Sequence, residues 1–173
     1  DSLALRQPRG AHLARLCQQH NETVTLSILE DADVVFLDVV EGLQRVKIAA
    51  SIGQRLPAHA TAAGKALLAH LPPEKVVELL GAGLPQFTPQ TMQTREGILA
   101  HLEQVRAQGY AFSQQEYEEG INAVSVAVLD GSGQTVAAIT VTGPAYRLSL
   151  ERMTAIAPSV MAAARELSQD LGS

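Results

Sequence analysis

Four small or hydroxyl-bearing residues, Ala123, Ser125, Thr140 and Thr142, are spaced so that they could contact a small polar molecule from one face of a β-hairpin. They belong to two β-branched segments separated by the Gly-rich sequence DGSG, which is a hairpin signal. If the last two residues of that sequence form a two-residue loop, Ala123 lies opposite Thr142 and Ser125 opposite Thr140, all on one face. Such a face is either an ordinary, thinly covered sheet surface or one wall of a ligand site.

The other face of the hairpin carries branched apolar residues, which are Val124, Val126, Val128, Ile139 and Val141. Their burial would contribute about 8–15 kcal/mol, at roughly 1.5–3 kcal/mol for each side chain. We therefore expect this face to pack on the hydrophobic core, whereas the small face has no such requirement.

The sequence around Gly64 and Lys65 invites comparison with a phosphate-binding loop. A Walker A motif requires glycine five positions before Gly64 and serine or threonine after the lysine, whereas this chain has His59 and Ala66 there. Nucleotide binding by this route is therefore not expected.

Ala62 and Ala63 follow Thr61, which is a good N-cap for a helix predicted to run to Leu71. Unpaired amides at the start of a helix are suited to a carboxylate, and small side chains permit its close approach. Because every helix has such an end, the pattern indicates a site only when a second feature accompanies it.

The periodicity predicts an antiparallel meander of three sequential strands with one face covered, a later β-hairpin, and helices before, between and after them. Helices are expected over residues 11–18, 61–71, 74–80, 91–108 and 149–171, the last interrupted at Pro158, and strands over residues 23–29, 34–40, 45–50 and both arms of the 123–142 hairpin. A length of 173 residues suits one domain with one core.

The composition excludes several classes of function. A net charge of -5 and an aromatic content of 3% leave no basic surface or stacking platform for nucleic acid within this chain. Cys17 is the only cysteine, so no internal disulfide can form and a reducing, cytoplasmic setting is the default. The five histidines lack metal-ligand spacing and no apolar run approaches about 18 residues, so we expect no metal, no cofactor and no membrane span.

A catalytic set can be assembled from Ser113 or Ser125 with His59 and Glu116, but no nucleophile-elbow motif frames either serine. We therefore do not expect an enzyme. Glu116 and the acidic residues at 118 and 119 are interpreted as a solvated strand end or loop, and Arg147 as a structural hydrogen-bond donor.

Two segments and the arginine that follows them carry a family resemblance along nearly the whole chain. The segments LPAHATAAGKALLAHL and GYAFSQQEYEEGINAVSVAVLDGSGQTVAAITVTGP, with Arg147, resemble the effector-binding domain of the IclR family of bacterial transcriptional regulators. The resemblance implies a GAF-like α+β domain, with a central antiparallel β-sheet flanked by helices, that binds a small metabolite and helps to form dimers and tetramers. In that family it follows an N-terminal winged helix-turn-helix that binds operator DNA.

The resemblance also implies the domain organisation. Residues 1–173 would form the effector-binding and oligomerisation domain, and residues 1–21 would include the helix that leads out of the winged helix-turn-helix. A chain that begins without methionine in the middle of a pattern is expected to lack that DNA-binding part.

The same resemblance assigns the effector site residue by residue. It implies that the amides of Ala62 and Ala63 hold a carboxylate. The opposite pole would comprise Ser113, Ala123, Thr140 and Thr142, with apolar walls from Ile48, Leu56 and Ile121.

Two of these positions depart from relatives that bind small oxoacids, which often carry an acid at position 113 and a cysteine at position 123. Ser113 and Ala123 remove a charge and a polarisable group, so we expect a different effector that is larger or more apolar. The implied function is a carboxylic-acid sensor that controls oligomeric arrangement and DNA binding of the full-length protein. A structural oligomerisation module without a working ligand site is the alternative.

Overall fold

The computed structural model describes residues 2–172, with side chains from residue 10 onward, so the first and last residues of the predicted domain lie outside the description. Within this part of the chain the fold is α+β, as predicted. Six antiparallel strands form one sheet in the order β3-β2-β1-β6-β5-β4: β1 Thr23–Glu30, β2 Asp33–Val40, β3 Arg55–Pro57, β4 Ala111–Gln114, β5 Ile121–Leu129 and β6 Thr135–Pro144. Five α-helices flank it: α1 Ser2–His20, α2 Ala62–Leu68, α3 Pro73–Leu80, α4 Arg95–Gln108 and α5 Leu150–Gly172.

The branched face of the β5–β6 hairpin packs on the core, as its composition predicts. Val124, Val128 and Val141 are fully buried in a cluster that includes residues of α1 and α5. The predicted interruption of the last helix at Pro158 is wrong, because α5 is continuous through it. Proline removes one backbone hydrogen bond, but the apolar residues of α5 on both sides of it pack on the sheet and hold the helix together.

The small face of the sheet lies beneath a second layer of helices, α2 to α4. α2 begins at the predicted N-cap, where the Thr61 hydroxyl accepts a hydrogen bond from the amide of Gly64 at 3.1 Å. It ends at Leu68, three residues earlier than predicted. α4 ends at Gly109 in the left-handed conformation expected of a helix C-terminus, with φ of 91°.

The register of the β5–β6 hairpin is as predicted, although its loop is not. Ala123 lies opposite Thr142 and Ser125 opposite Thr140. The loop has three residues rather than two, because the amide of Asp130 bonds the carbonyl of Gln134 at 2.8 Å. A β-bulge opposite Leu129 adds one residue to β6. This extra residue offsets the longer loop, so the predicted pairing holds along the rest of the hairpin.

The predicted strand over residues 45–50 is wrong. The third strand of the chain is Arg55–Pro57, which pairs with the free edge of β2, and residues 41–54 form a loop, here called the strap. Side chains hold the middle of the strap: the Thr23 hydroxyl donates to the carbonyl of Ile48 at 2.8 Å, and Arg147 donates to the carbonyl of Val46 at 2.7 Å. Backbone groups hold its end, because Gly53 donates to the carbonyl of Phe36 at 2.8 Å and Phe36 donates to the carbonyl of Gln54 at 3.0 Å. Arg147 is therefore a structural donor, as interpreted from the sequence.

Glu116 is not solvated, contrary to the sequence interpretation. Its carboxylate oxygens accept hydrogen bonds from the fully buried ammonium group of Lys65 at 2.9 and 3.0 Å, and Lys65 also donates to the carbonyl of Phe112. The Glu116 carboxylate also accepts from the amide of Gln114 at 3.2 Å. Burial lowers the pKa of Lys65, and the charge of Glu116 opposes that shift. The pair joins α2 to the loop between β4 and β5.

None of the helices within residues 2–172 has the length and apolarity needed to cross a membrane.

Gly64 allows α2 to approach the preceding turn, and its replacement should destabilise the domain. A Cβ atom at Gly64 would lie 2.0 Å from the carbonyl oxygen of Ala58, which is backbone and cannot move aside cheaply. Gly64→Ala should lower the free energy of unfolding by about 2 kcal/mol or more, as overpacking does. The matched control is Gly131→Ala, where a Cβ meets nothing within 4 Å. Urea unfolding of both variants tests this, and equal midpoints would contradict the close contact.

His101 should make stability depend on pH. Burial, and then the charge of Lys65, lower its pKa from 6.5 to about 4. The unfolded chain therefore binds more protons between about pH 4 and 6.5, so the free energy of unfolding should fall as pH falls through this window. His101→Gln should reduce the slope of the unfolding free energy against pH by the equivalent of up to one bound proton. Urea unfolding at several pH values measures this slope. A profile parallel to that of the unmodified chain would show that His101 keeps its ordinary pKa.

Candidate functional site

A cavity with a volume of about 120 Å³ lies between the small face of the sheet, the start of α2 and the strap. All nine residues that the family resemblance assigned to the effector site line this cavity. They are Ile48, Leu56, Ala62, Ala63, Ser113, Ile121, Ala123, Thr140 and Thr142. The fold thus brings together residues from six elements, which are the strap, β3, α2, β4, β5 and β6.

Two rows of small residues cross the sheet beneath α2. Strand pairing aligns the first row as Thr23, Thr142, Ala123 and Ser113, on β1, β6, β5 and β4 respectively. The second row is aligned as Thr25, Thr140, Ser125 and Ala111 on the same strands. Because side chains two residues apart share a face of a strand, both rows face the helical layer that contains α2.

Some hydroxyl groups in these rows already donate a hydrogen bond within the protein, and others do not. Ser125 donates to the carbonyl of Ile139 at 3.1 Å, and Thr140 donates to the Ser125 hydroxyl at 2.9 Å. A carbonyl oxygen can only accept, so the direction of both bonds is fixed and Thr140 can offer only lone pairs to the cavity. Thr23 donates to the strap.

The hydroxyls of Thr25, Ser113 and Thr142 have no hydrogen-bond partner among residues 10–172, for which side chains are described. Thr25 and Ser113 are nevertheless buried, with exposed fractions of 2% and 6%. Buried polar groups usually have partners, so these hydroxyls are available to a bound molecule.

The start of α2 forms the opposite wall. Thr61 caps the helix, donating to the carbonyl of Pro57 at 2.9 Å while it accepts from Gly64. Ala62 and Ala63 are the first two residues of α2, so their amides have no acceptor within that helix. Their methyl side chains leave those amides approachable from the cavity.

The electrostatic lining of the cavity is almost neutral. Glu118 is the charged residue among those that line it, and its side chain is exposed; no lysine, arginine or histidine contributes to the lining. Lys65 belongs to α2, but its ammonium group is paired with the carboxylate of Glu116. An anion in the cavity would therefore be held by N–H and O–H groups rather than by a cation.

The catalytic set considered from the sequence is not assembled. Ser125 donates to the Ile139 carbonyl, the imidazole of His59 bonds the carbonyl of Pro85 at 2.8 Å, and Glu116 bonds Lys65. Each of these groups is thus used in the structure of the fold. In the described residues no three His, Cys, Asp or Glu side chains are grouped to hold a metal ion.

Several lining residues were missed from the sequence. Thr23 and Thr25 alternate with Val24 and Leu26 in β1, and this alternation could have placed them on a small face. Their position beside Thr142 and Thr140 depends on the pairing of β1 with β6, which short-range patterns do not show. Tyr117 also lines the cavity, and its ring packs 5.0 Å from that of Phe87.

Comparison with known proteins gives a consistent result. Residues 1–169 match the family model described as "Bacterial transcriptional regulator IclR C-terminal". The HTH-type transcriptional repressor AllR of Klebsiella pneumoniae is 38% identical over 164 residues, which cover 94% of this chain and 60% of that protein. The chain thus spans about 60% of the length of the curated relatives it matches.

Solved structures agree. The crystal structure of the Thermotoga maritima IclR superposes with a TM-score of 0.91 at 30% identity, covering 98% of this chain and 69% of that one. The second structure is the inducer-binding domain of the transcription factor PobR from Acinetobacter, a double mutant in complex with 3-hydroxybenzoic acid. It superposes with a TM-score of 0.86 at 30% identity, covering 94% of this chain and 98% of that one.

The proteins matched are transcriptional regulators rather than enzymes. The chain therefore belongs to the IclR family and forms the C-terminal regulatory domain of a bacterial transcriptional regulator.

Proposed function

We propose that this domain is a cytoplasmic sensor of a small carboxylic acid and that the cavity beneath α2 is its effector site. The observation that carries the proposal is the convergence of nine predicted residues on one cavity that retains unpaired hydroxyls and helix-start amides. A site needs space together with a few placed polar groups, and this cavity has both. The inducer-binding domain of PobR, with the same fold, binds an organic acid, which supports the same role here.

The proposed orientation follows from the two walls. The carboxylate is held by the amides of Ala62 and Ala63, and the remainder of the molecule extends toward Ser113, Ala123 and the threonines of β6. A cavity of about 120 Å³ is slightly smaller than one that holds benzene, about 150 Å³, so the effector is a compact molecule of about one ring. The apolar residues Ile48, Leu56 and Ile121 cover its body.

The effector signal has a physical route to α1. The strap lines the cavity at Ile48 and is held at Val46 by Arg147, whose guanidinium also bonds the buried carboxylate of Glu22 at 2.6 and 2.8 Å. Glu22 lies two residues after His20, the last residue of α1. Arg152, on α5, donates to the carbonyl of His20, the last residue of α1, at 3.0 Å. A ligand that alters the strap therefore acts on the end of α1.

In the proposed mechanism, binding of the effector is thermodynamically linked to the arrangement of the subunits in the dimer or tetramer. An effector that binds one arrangement of dimer or tetramer subunits more tightly shifts the population toward it. In the full-length protein the shift would reorient DNA-binding domains on operator half-sites. Residues 1–173 would supply the sensing and oligomerisation, and operator DNA would be contacted outside this chain.

Small acids should stabilise the domain, and their neutral amides should not. 3-Hydroxybenzoate, benzoate, lactate and pyruvate form a suitable panel, each compared with its carboxamide in a thermal-shift assay. A ligand at a hundredfold excess over its Kd should raise the Tm by about 5–10 °C. A domain that serves only as an oligomerisation module would show no shift with any acid.

Variants of the cavity should separate binding from assembly. Ala63→Leu should abolish the thermal shift because its side chain fills the space before the helix amides, and Thr142→Val should weaken it by removing a free hydroxyl. The control Thr154→Val alters an exposed threonine of α5 and should retain the full shift. Sedimentation analysis should give the same oligomeric mass for all three variants. Loss of assembly with the ligand response intact would contradict the site assignment.

A further inference from the structure

Hydroxyl groups on the sheet restrict the effector more closely than cavity size does. The protons of Thr23 and Thr140 are already committed, to the strap and to Ser125 respectively. Thr25, Ser113 and Thr142 retain theirs, as far as residues 10–172 can provide partners. Thr25, on β1, is not among the site residues suggested by the sequence, yet it lines the cavity with an exposed fraction of only 2%.

Thr25 lies beside the β6 residues of the site. It is paired directly with Thr140, and it is the diagonal neighbour of Thr142, which is paired with Thr23. Diagonal neighbours on adjacent strands lie about 7–8 Å apart, so one ligand atom between them is within reach of both side chains. Ser113 lies on β4, three strands away from β1, at roughly 14 Å for a strand spacing of about 4.8 Å. A compact ligand group can therefore contact Thr25 and β6 together, without Ser113.

The three threonines differ in what they can offer to that group. Thr140 can only accept, because its proton goes to Ser125 and the proton of Ser125 goes to the Ile139 carbonyl. Thr25 and Thr142 are free to donate. A ligand hydroxyl satisfies both requirements, since it donates to Thr140 and accepts from Thr25 or Thr142. The ketone oxygen of an oxo acid can only accept a hydrogen bond, and the C–H group at the same position of a deoxy acid can neither donate nor accept one.

We infer that the effector is a hydroxy acid and that Thr25 determines its selection over the oxo and deoxy analogues. This inference rests on the proposed function, because it concerns the same cavity. Thr25 donates to the ligand oxygen while Thr140 accepts the ligand proton. Ser125 lies behind Thr140 and sets the direction of its hydrogen bond.

The test uses isothermal titration calorimetry on the whole chain with two sets of matched probes. The first set is 3-hydroxybenzoate and benzoate, and the second is lactate, pyruvate and propionate. The hydroxy acid of each set should bind about tenfold more tightly than its analogues, as expected for the gain of a neutral hydrogen bond without an unpaired buried group. Equal affinities within both sets would overturn the inference.

Substitutions identify the residue responsible. Thr25→Val should weaken 3-hydroxybenzoate binding about tenfold and leave benzoate unchanged, which also reports that the cavity is intact. Thr25→Ser keeps the hydroxyl and should keep the preference. Ser125→Ala should free the Thr140 proton and raise the affinity for pyruvate relative to lactate. A Thr25→Val variant that still prefers the hydroxy acid would overturn the assignment of Thr25.

The two proposals fail in distinguishable ways. If acids bind the unmodified chain without regard to their hydroxyl group, the hydroxy-acid inference is wrong and the sensing function stands. If no acid of either set binds, both are wrong.

Discussion

The ammonium group of Lys65 is enclosed by protein, and the carboxylate of Glu116 lies at hydrogen-bond distance from it. Separation of such a pair leaves a buried charge without a partner, which is far less favourable than the intact pair. Lys65 belongs to the helix whose first residues face the cavity, and Glu116 precedes Tyr117, which lines the same cavity. The ion pair thus holds α2 and the β4–β5 loop together as one rigid wall.

The opposite wall depends on hydrogen bonds that run in one direction. The Ile139 carbonyl is part of the sheet backbone, yet it determines which way the Ser125 and Thr140 hydroxyls point. A main-chain group that contacts no ligand can therefore control the polarity of a site through two side chains. The same sheet buries its branched residues against α1 and α5, so the cavity and this core cluster use opposite faces of the same strands.

Sequence patterns predicted the parts of this molecule that depend on interactions between residues close together in the chain. The β5–β6 register follows from alternation within one hairpin, and the start of α2 follows from Thr61 alone. Residues 45–50 alternate in the same way but are held by Thr23 and Arg147, which are distant in sequence. The burial of Glu116 depends on Lys65, 51 residues away. The family resemblance supplied site residues from several elements, but the contribution of Thr25 depends on the pairing of β1 with β6.

The close contact between Gly64 and Ala58 makes the two walls unequal in their freedom to vary. The helical wall presents main-chain groups whose position depends on a glycine packed against backbone, so it tolerates little change. The sheet wall presents side chains that can be exchanged without moving the strands that bear them. Redesign of the ligand preference is therefore expected to succeed by exchange of side chains on the strands and to fail where it alters the start of α2.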